Sequence, residues 1–314
     1  MLDLTLENLR EAHAGLAEVS PPTPLIPLDI PAFAAEVRIK AEHLQPIGAF
    51  KMRGAWTAVR RLDAAARSRG VVTSSSGNHG LGIAFAARGH GVRAVIVMPE
   101  NAPQVKIDGI REMGAQVVLI GAVRGPEQTA EADRLAAEGM TLVPPFEHAD
   151  VIAGQATCGI EILEGWPEVQ TIVVPVGGGG LLAGIATSVR LIRPGVRIIA
   201  VEPAGIPKLS RAVASGNPVT LPPGTSLADG LLTRSVGELT WPLIRNALSG
   251  VVSVTDPEIR AAMQCLGAHG QRVEPSGAVT LAALIAGRID ATGPVALICS
   301  GGNVDPARYA ELVA

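Results

Sequence analysis

The chain has 314 residues, of which 47% are hydrophobic and 18% are charged, and this composition excludes a disordered chain. A formal net charge of −3 and an aromatic content of 3% argue against a nucleic-acid-binding surface and against attraction to anionic lipid. Three widely separated cysteines without a Cys-x-x-Cys pair indicate neither a disulfide framework nor a cysteine-rich zinc site. The length predicts about two domains. The N-terminal segment lacks the apolar core of a secretory signal, so we expect a cytoplasmic protein.

Short β-branched apolar runs alternate with alanine-rich amphipathic segments along the chain. We predict strands at Val71–Thr73, Ala94–Met98, Gln116–Ile120, Thr171–Val176, Val196–Val201 and Pro294–Cys299. We predict helices at Trp56–Arg67, His79–Arg88, Pro103–Met113, Pro126–Ala137 and Leu181–Leu191. Because these strands are apolar on both faces, the pattern indicates parallel sheets covered by helices on both sides. The proline-rich stretch Ser20–Pro27 is expected to be a surface connector.

A run of glycines, Gly177–Gly180, joins the predicted strand at 171–176 to the helix after it. The run interrupts an uncharged stretch from Val169 to Val189, which we therefore interpret as strand, loop and helix instead of a membrane span. A glycine turn at the start of a helix offers unpaired backbone N–H groups to a phosphate. A tight turn without any ligand is the simpler interpretation of the same residues.

The same segment also fits a dinucleotide-binding fingerprint. Gly178, Gly180 and Ala183 match G-x-G-x-x-A, and Glu202 follows Gly178 by 24 residues (202 − 178), at the end of the next predicted strand. An acid near that position binds the ribose in nicotinamide enzymes. This segment alone therefore does not separate a nicotinamide enzyme from another phosphate-binding protein.

Three further segments carry polar residues with possible chemistry. Lys51 lies between Phe50 and Met52, with Arg53 as a second cation nearby, and a lysine in an apolar setting loses its proton more easily and can form a Schiff base. The polar turn Ser74–Gly80 stands between a predicted strand and a predicted helix. The segment Ser300-Gly-Gly-Asn303 directly follows the last predicted strand. Each feature alone is also typical of an ordinary solvated lysine, a helix cap or a turn.

Together these motifs resemble the fold-type II pyridoxal-phosphate enzymes of the threonine/serine dehydratase and serine racemase family. The resemblance runs over nearly the whole chain, and further matching stretches are Met98-Pro99 with Lys106, Val151–Gln155 with Glu161-Ile162, Val201-Glu202-Pro203, Ala228-Asp229-Gly230 and Glu274–Ala278. It implies a tryptophan synthase β-like α/β fold with two domains, each an open, mostly parallel twisted sheet flanked by helices. The implied boundaries are residues 1–47 plus 149–314 for a large cofactor-binding domain and residues 48–148 for a small substrate-loop domain. It also implies a homodimer.

The resemblance further implies roles for individual residues. The cofactor, pyridoxal 5'-phosphate, would be held covalently by Lys51 and contacted by Phe50, Asn78, Gly177, Gly178, Gly179, Gly180 and Ser300. In this arrangement Asn78 contacts the phenolic oxygen, the glycines contact the phosphate and Ser300 faces the pyridine nitrogen. The carboxylate of the amino-acid substrate would lie against Ser75, Ser76, Asn78 and His79. Lys51 and Ser76 would be catalytic, since Ser76 matches a serine that acts on the opposite cofactor face in serine racemases.

Two acidic residues have more than one possible assignment at this stage. In metal-binding relatives the residue corresponding to Glu202 is joined by an aspartate six residues on, where this chain has Lys208. A lysine cannot be a carboxylate ligand, so we expect no metal here and an ion pair between Lys208 and Glu202, unless Asp229 or another acid completes a shifted site. Glu274 would either lie near the cofactor ring or cap the next helix.

The implied reaction is β-elimination from a β-hydroxy amino acid such as L-threonine or L-serine, which gives a 2-oxo acid and ammonia. A neutral hydroxyl at Ser300 would stabilise a protonated pyridine nitrogen less than a carboxylate does, which favours prompt loss of the β-hydroxyl. An amino-acid racemase on the same scaffold is the near alternative. A nicotinamide-dependent oxidoreductase would leave Lys51, Asn78 and Ser300 without a role, and a non-catalytic cofactor-binding protein would not need Lys51.

Overall fold

Two β-sheets organise the chain, which the computed structural model describes over residues 4–30, 33–75, 77–102, 104–123 and 125–314, with only the backbone of Val105. Ser76 and Pro103 lie outside these ranges, and so do the catalytic and carboxylate-binding roles predicted for Ser76. The strands are β1 (Leu25–Pro27), β2 (Val37–Lys40), β3 (Val71–Ser74), β4 (Ala94–Met98), β5 (Gln116–Leu119), β6 (Thr141–Leu142), β7 (Thr171–Pro175), β8 (Arg197–Pro203), β9 (Gly250–Val254) and β10 (Val295–Ile298).

Helices cover both sheets. They are α1 (Leu6–Ala17), α2 (Lys51–Arg60), α3 (Ala64–Arg69), α4 (Asn78–His90), α5 (Gln104–Glu112), α6 (Pro126–Ala137), α7 (Ala149–Gly165), α8 (Gly180–Ile192), α9 (Lys208–Ser215), α10 (Trp241–Ile244), α11 (Asp256–Ala268), α12 (Pro275–Ile285) and α13 (Pro306–Val313). Two short 3-10 turns occupy Glu42–Leu44 and Asp229–Leu231.

The larger sheet has the strand order β1-β2-β10-β7-β8-β9, and the smaller sheet has the order β5-β4-β3-β6. Strand β1 is antiparallel to β2, whereas the other neighbouring strands in the described ranges pair in parallel. The structure therefore confirms an α/β fold with two mostly parallel sheets flanked by helices. The strands of the smaller sheet fall within residues 71–142, inside the predicted small domain, while the exact boundaries at 47/48 and 148/149 stay a prediction.

Apolar side chains alternate between the two faces of each sheet. In β7, Ile172 and Val174 face a core that includes α7 and α8, and Val173 faces a second core that includes α11 and α12. In the smaller sheet, Ile96 of β4 packs with α2 and α4, and Val95 packs with α6. Successive side chains of a strand point in opposite directions, so a continuous apolar run places apolar side chains on both faces of the sheet. Helices pack on both faces and bury them, as the sequence predicted.

One segment that was predicted as a single helix forms two helices in the structure. The segment predicted as a helix from Trp56 to Arg67 forms α2, which ends at Arg60, and α3, which begins at Ala64. The Asp63 carboxylate accepts a hydrogen bond of 2.7 Å from the Ala66 N–H, so it caps a new helix and interrupts the periodic pattern.

The uncharged stretch around the glycine run forms strand β7, a turn and helix α8, as predicted. Among the described residues, none of the helices combines the length and the apolar character needed to cross a bilayer.

A buried cluster of four charged side chains joins α2 to the neighbouring segments. The Arg53 guanidinium, 1% exposed, donates to Glu42 through Nε and Nη2, both at 2.7 Å. It also donates to Glu161 of α7 through Nη1 at 2.6 Å and Nη2 at 2.7 Å. Lys40 Nζ lies 2.5 Å from Glu161 Oε2, so two cations balance two carboxylates. Arg53 was expected to act as a cation near Lys51, but its charge is compensated within this cluster.

The expected surface connector at Ser20–Pro27 is correct only in part, because Pro21, Pro22 and Pro24 are exposed while Thr23 contacts the same buried cluster. Its last three residues form β1 and pair with β2, and Thr23 is buried. The Thr23 hydroxyl donates to Glu42 Oε1, and the Thr23 carbonyl accepts from Lys40 Nζ, each at 2.5 Å. Thr23 is drawn inside because the buried charges need these additional polar partners.

We expect Arg53→Met to lower the free energy of unfolding by about 3–5 kcal/mol in urea denaturation at neutral pH, because it leaves two buried carboxylates with Lys40 as their remaining cation. Arg134→Met is the matched control. Arg134 pairs with Glu131 and Glu138 on the exposed face of α6, so its loss should change stability by less than about 0.5 kcal/mol. Equal stability of the Arg53 variant and the parent would contradict a structural role for the cluster.

The parent should also lose stability on acidification. Burial is the largest single effect and would raise the pKa of the Glu42 and Glu161 carboxyls. The charge and hydrogen bonds of Arg53, together with the charge of Lys40, outweigh it and hold both pKa values below the ordinary value of 4.5. A lowered pKa in the folded state contributes stability that is complete above the unfolded pKa and is lost as the pH falls.

Candidate active site

A cleft lies where strands of both sheets reach their carboxyl ends. Its wall includes most of the predicted site residues, namely Phe50, Lys51, Ser75, Asn78, His79, Gly177, Gly178, Gly179, Gly180 and Ser300. Ser75 follows β3, the glycines follow β7 and Ser300 follows β10. This is the edge at which ligands bind in open parallel sheets.

Lys51 is the first residue of α2 and reaches into the cleft. Its Nζ donates to the Pro145 carbonyl at 2.8 Å and lies 5.2 Å from the centre of the Phe50 ring. The turn before α2 is attached to the segment after β10, because the Phe50 N–H donates to the Ser300 carbonyl at 3.0 Å and Ala49 pairs with Gly301. The backbone thus places Lys51 beside Ser300.

The loop before α4 and the first turn of that helix contribute Ser75, Asn78 and His79 to the cleft wall. Ser75 Oγ accepts from the Gly80 N–H at 3.1 Å. His79 is 2% exposed, and its Nε2 lies 2.9 Å from the Val143 carbonyl, to which it must donate because a carbonyl only accepts. Burial, and then the charge of Lys51, lower the pKa of His79 to about 3. The imidazole is therefore neutral at physiological pH.

Asn78 begins α4 and is held by two other polar side chains. Its Nδ2 donates to Glu274 Oε1 at 2.8 Å, and its Oδ1 accepts from Asn303 Nδ2 at 2.9 Å. Glu274 occupies the capping position before α12 but makes no capping bond with its side chain. Of the two assignments open for Glu274, the structure supports the one that places it at the cleft.

The glycine turn lies against neighbouring side chains so closely that larger residues do not fit. A Cβ on Gly178 would lie 2.4 Å from the Phe146 ring, and a Cβ on Gly179 would lie 2.7 Å from Thr240 Oγ1. Gly179 also has φ = +97°, in the region that favours glycine. The turn leads into the N-terminus of α8 at Gly180, so the space above its backbone suits a phosphate bound by N–H groups.

Ser300 is 3% exposed, and its hydroxyl donates to the Ser276 carbonyl over a long 3.4 Å. Cys299 before it is fully buried in the core on the other face, as the alternation along a strand predicts. The residues predicted to contact the cofactor or substrate did not include several others of the cleft wall, among them Lys106, Phe146, Asp229, Thr233 and Ser276. Of these five, Lys106, Asp229 and Ser276 lay within stretches that carry the family resemblance, which is the signal that could have found them.

The expected ion pair between Lys208 and Glu202 is wrong. The Glu202 carboxylate accepts from the N–H groups of Leu209 at 2.7 Å and Ser210 at 2.9 Å, at the start of α9. Lys208 Nζ donates instead to the Leu231 carbonyl at 2.8 Å. Burial lowers the pKa of Lys208 to about 8, and the charge of Glu202 opposes this shift without a direct contact. Both oxygens of Glu202 are thus used by α9, which also argues against a ribose at this carboxylate and hence against a dinucleotide. The absence of a metal requirement stays a prediction.

Comparison with known proteins agrees with this geometry. The family model described as "Pyridoxal-phosphate dependent enzyme" matches residues 17–301. A serine racemase of Oryza sativa is 38% identical over 310 residues, which cover 96% of this chain and 91% of the racemase. An L-threonine ammonia-lyase of Thermotoga maritima is 37% identical over 306 residues, which cover 96% of this chain and 76% of the lyase.

Among solved structures, maize serine racemase superposes with a TM-score of 0.93 at 36% identity, covering 98% of this chain and 96% of that one. The racemase and the ammonia-lyase are about equally similar to the chain. Sequence similarity therefore places the chain among these lyases and racemases but does not show which of the two reactions it catalyses. The glycine turn and Lys51 in one cleft, together with a family match over most of the sequence, show that the chain belongs to the fold-type II pyridoxal-phosphate dependent enzymes and uses pyridoxal phosphate as its cofactor.

Proposed function

We propose that the enzyme catalyses β-elimination from a β-hydroxy amino acid such as L-threonine or L-serine, which releases a 2-oxo acid and ammonia. The observation that carries this proposal is the neutral, buried Ser300 hydroxyl in a cleft that also contains Lys51 and the glycine turn. Similarity to an L-threonine ammonia-lyase supports it. The family resemblance further supports a homodimer in the cytoplasm.

Each role follows from the chemistry that a residue can supply. Pyridoxal phosphate, when bound, withdraws electrons from the α-carbon of an amino acid joined to it. Lys51 would hold the cofactor and, as a free amine, accept the α-proton at Nζ. Phe50 lies against the Lys51 ammonium, and the turn at Gly177–Gly180 would bind the phosphate through backbone N–H groups.

The substrate carboxylate would bind at the N-terminus of α4. The N–H groups of this first turn and the loop with Ser75 favour an anion, and the neutral imidazole of His79 adds no competing charge. Its bond to the Val143 carbonyl would keep the loop attached to the chain after β6. Asn78, at the start of the same helix, would contact the phenolic oxygen of the cofactor.

Ser300 is the residue that favours elimination. A hydroxyl carries no charge, so it would not stabilise a protonated pyridine nitrogen as a carboxylate does. Electron withdrawal is then weaker, and charge that develops at the α-carbon is best relieved by prompt departure of the β-hydroxyl.

Serine racemisation is the second candidate, because serine racemases are as similar to the chain as the ammonia-lyases are. Racemisation needs a proton donor on the cofactor face opposite Lys51. Ser76 is the proposed donor, and a serine hydroxyl acts in this way only when a neighbouring group lowers its pKa.

Lys51→Ala should abolish the covalent attachment of the cofactor. In the parent we expect a visible absorption band and, after borohydride reduction, a mass increase on the peptide that contains Lys51. The variant should show neither and should lose turnover. Lys106→Ala, which removes the other lysine of the cleft wall, is the control and should keep the reducible link. A reducible link at another lysine of Lys51→Ala would refute the assignment.

Gly179→Ala should weaken pyridoxal-phosphate binding by about tenfold or more, since its Cβ meets Thr240 and the positive φ strains any L-residue. The dissociation constant can be measured by fluorescence titration of the apoenzyme. Gly195→Ala is the matched control, because nothing lies within 4 Å of a Cβ at Gly195. Equal affinities of the two variants would argue against the glycine turn as the phosphate site.

Incubation with L-serine or L-threonine should yield mainly pyruvate or 2-oxobutyrate, together with ammonia. Chiral chromatography and a keto-acid assay on the same samples measure the two outcomes. If D-serine accumulates faster than pyruvate, racemisation is the principal activity and the proposed β-elimination is not.

A further inference from the structure

Three polar side chains form a hydrogen-bonded series at the base of the cleft. Asn303 Nδ2 donates to the Ile47 carbonyl at 2.8 Å and to Asn78 Oδ1 at 2.9 Å. Asn78 Nδ2 in turn donates to Glu274 Oε1 at 2.8 Å. The series therefore begins at a carbonyl and ends at a carboxyl group.

These two end groups determine the orientation of both amides between them. The Ile47 carbonyl only accepts, so Asn303 must turn its NH₂ group towards Ile47, and the second N–H of that group meets the oxygen of Asn78. The NH₂ group of Asn78 then faces Glu274. Burial, and then the charge of Asp229, raise the pKa of Glu274 to about 7, with Lys106 opposing them. A protonated carboxyl still has a carbonyl oxygen that accepts, so the direction of the series is the same in both states.

The series leaves one hydrogen-bond donor of Asn78 unused within it. An amide NH₂ has two protons, and Glu274 takes one of them. Asn78 lines the cleft, so the second proton is available to a ligand there. The backbone of Gly301 packs closely against this pair, because a Cβ on Gly301 would lie 2.5 Å from Glu274 Oε1 and 3.2 Å from Asn78 Nδ2.

We propose that Asn303 and Glu274 are positioning residues that fix the Asn78 amide with an N–H, and not its oxygen, towards the phenolic oxygen of pyridoxal phosphate. This inference rests on the role proposed above for Asn78. A flipped amide would place a lone pair against the phenolic oxygen and remove the donor. An N–H donor favours the ionised phenolic oxygen, so the orientation of this amide affects the proton equilibrium of the bound cofactor as well as its affinity.

Asn303 also connects this contact to the lysine. The turn before Lys51 contains Gly48 with φ = +71°, and a Cβ there would lie 2.4 Å from Asn303 Oδ1. The Gly302 N–H donates to the Gly48 carbonyl at 2.9 Å. One short segment after β10 therefore supports both the residue that would hold the cofactor and the amide that would contact its ring.

Asn303→Asp tests the inference with little change in volume. An aspartate has no proton for Ile47 or for Asn78 Oδ1, so it should pull the NH₂ group of Asn78 towards itself and reverse the amide. We expect a dissociation constant for pyridoxal phosphate about tenfold higher. We also expect the visible absorption band of the bound cofactor to be weaker at neutral pH. The apparent pKa that describes its pH dependence should be higher by about one unit. Asn217→Asp makes the same chemical change at an exposed position and should leave all three quantities unchanged.

Two variants at the other end of the series keep the test decisive if Asn303→Asp fails to fold. Glu274→Gln retains a carbonyl oxygen as acceptor and should keep the parental spectrum, whereas Glu274→Leu removes the acceptor and should shift the spectrum as Asn303→Asp does. Parental spectra and affinities in Asn303→Asp or Glu274→Leu would overturn the inference, and so would a lower melting temperature without a spectral change. A parent protein that binds no reducible cofactor would instead refute the proposed function.

Discussion

The buried guanidinium of Arg53 is the constraint on which the cofactor site depends. A charge with 1% exposure is tolerated only with full compensation, and its two carboxylates come from Glu42 and from Glu161, which is 108 residues away. The first turn of α2, the 3-10 turn after β2 and helix α7 must therefore meet in one arrangement. Because Lys51 and Arg53 belong to the same first turn of α2, that arrangement also sets where the Lys51 side chain enters the cleft.

A second short segment connects the parts of the cleft to one another. The Val143 carbonyl accepts from His79, and the Pro145 carbonyl accepts from Lys51. The next residue, Phe146, lies against the glycine turn at Gly178. His79, Lys51 and the glycine turn thus all contact one segment between β6 and α7. A shift of this segment would therefore change the position of all three.

The proposed β-elimination is consistent with a cleft in which several polar groups are uncharged. Three polar groups of the cleft wall carry no charge, namely the Ser300 hydroxyl, the Asn78 amide and the imidazole of His79. In the proposed mechanism, elimination and racemisation would both begin with proton removal by Lys51 and would differ in the step after it. The outcome depends on whether the β-hydroxyl leaves before a proton reaches the opposite face.

The sequence by itself determined most of the strands and helices, the glycine turn and the lysine motif, because each depends on residues close together in the chain. It also singled out Phe50, Ser75, Asn78 and Ser300, all of which line one cleft. Only the tertiary structure decided which distant groups pair, such as Asn78 with Glu274 across 196 residues, and Lys208 with a carbonyl instead of Glu202. The physical reason is that a buried polar group takes whichever partner the packing of helices on sheets brings within hydrogen-bond distance, and a local pattern carries no information about that partner.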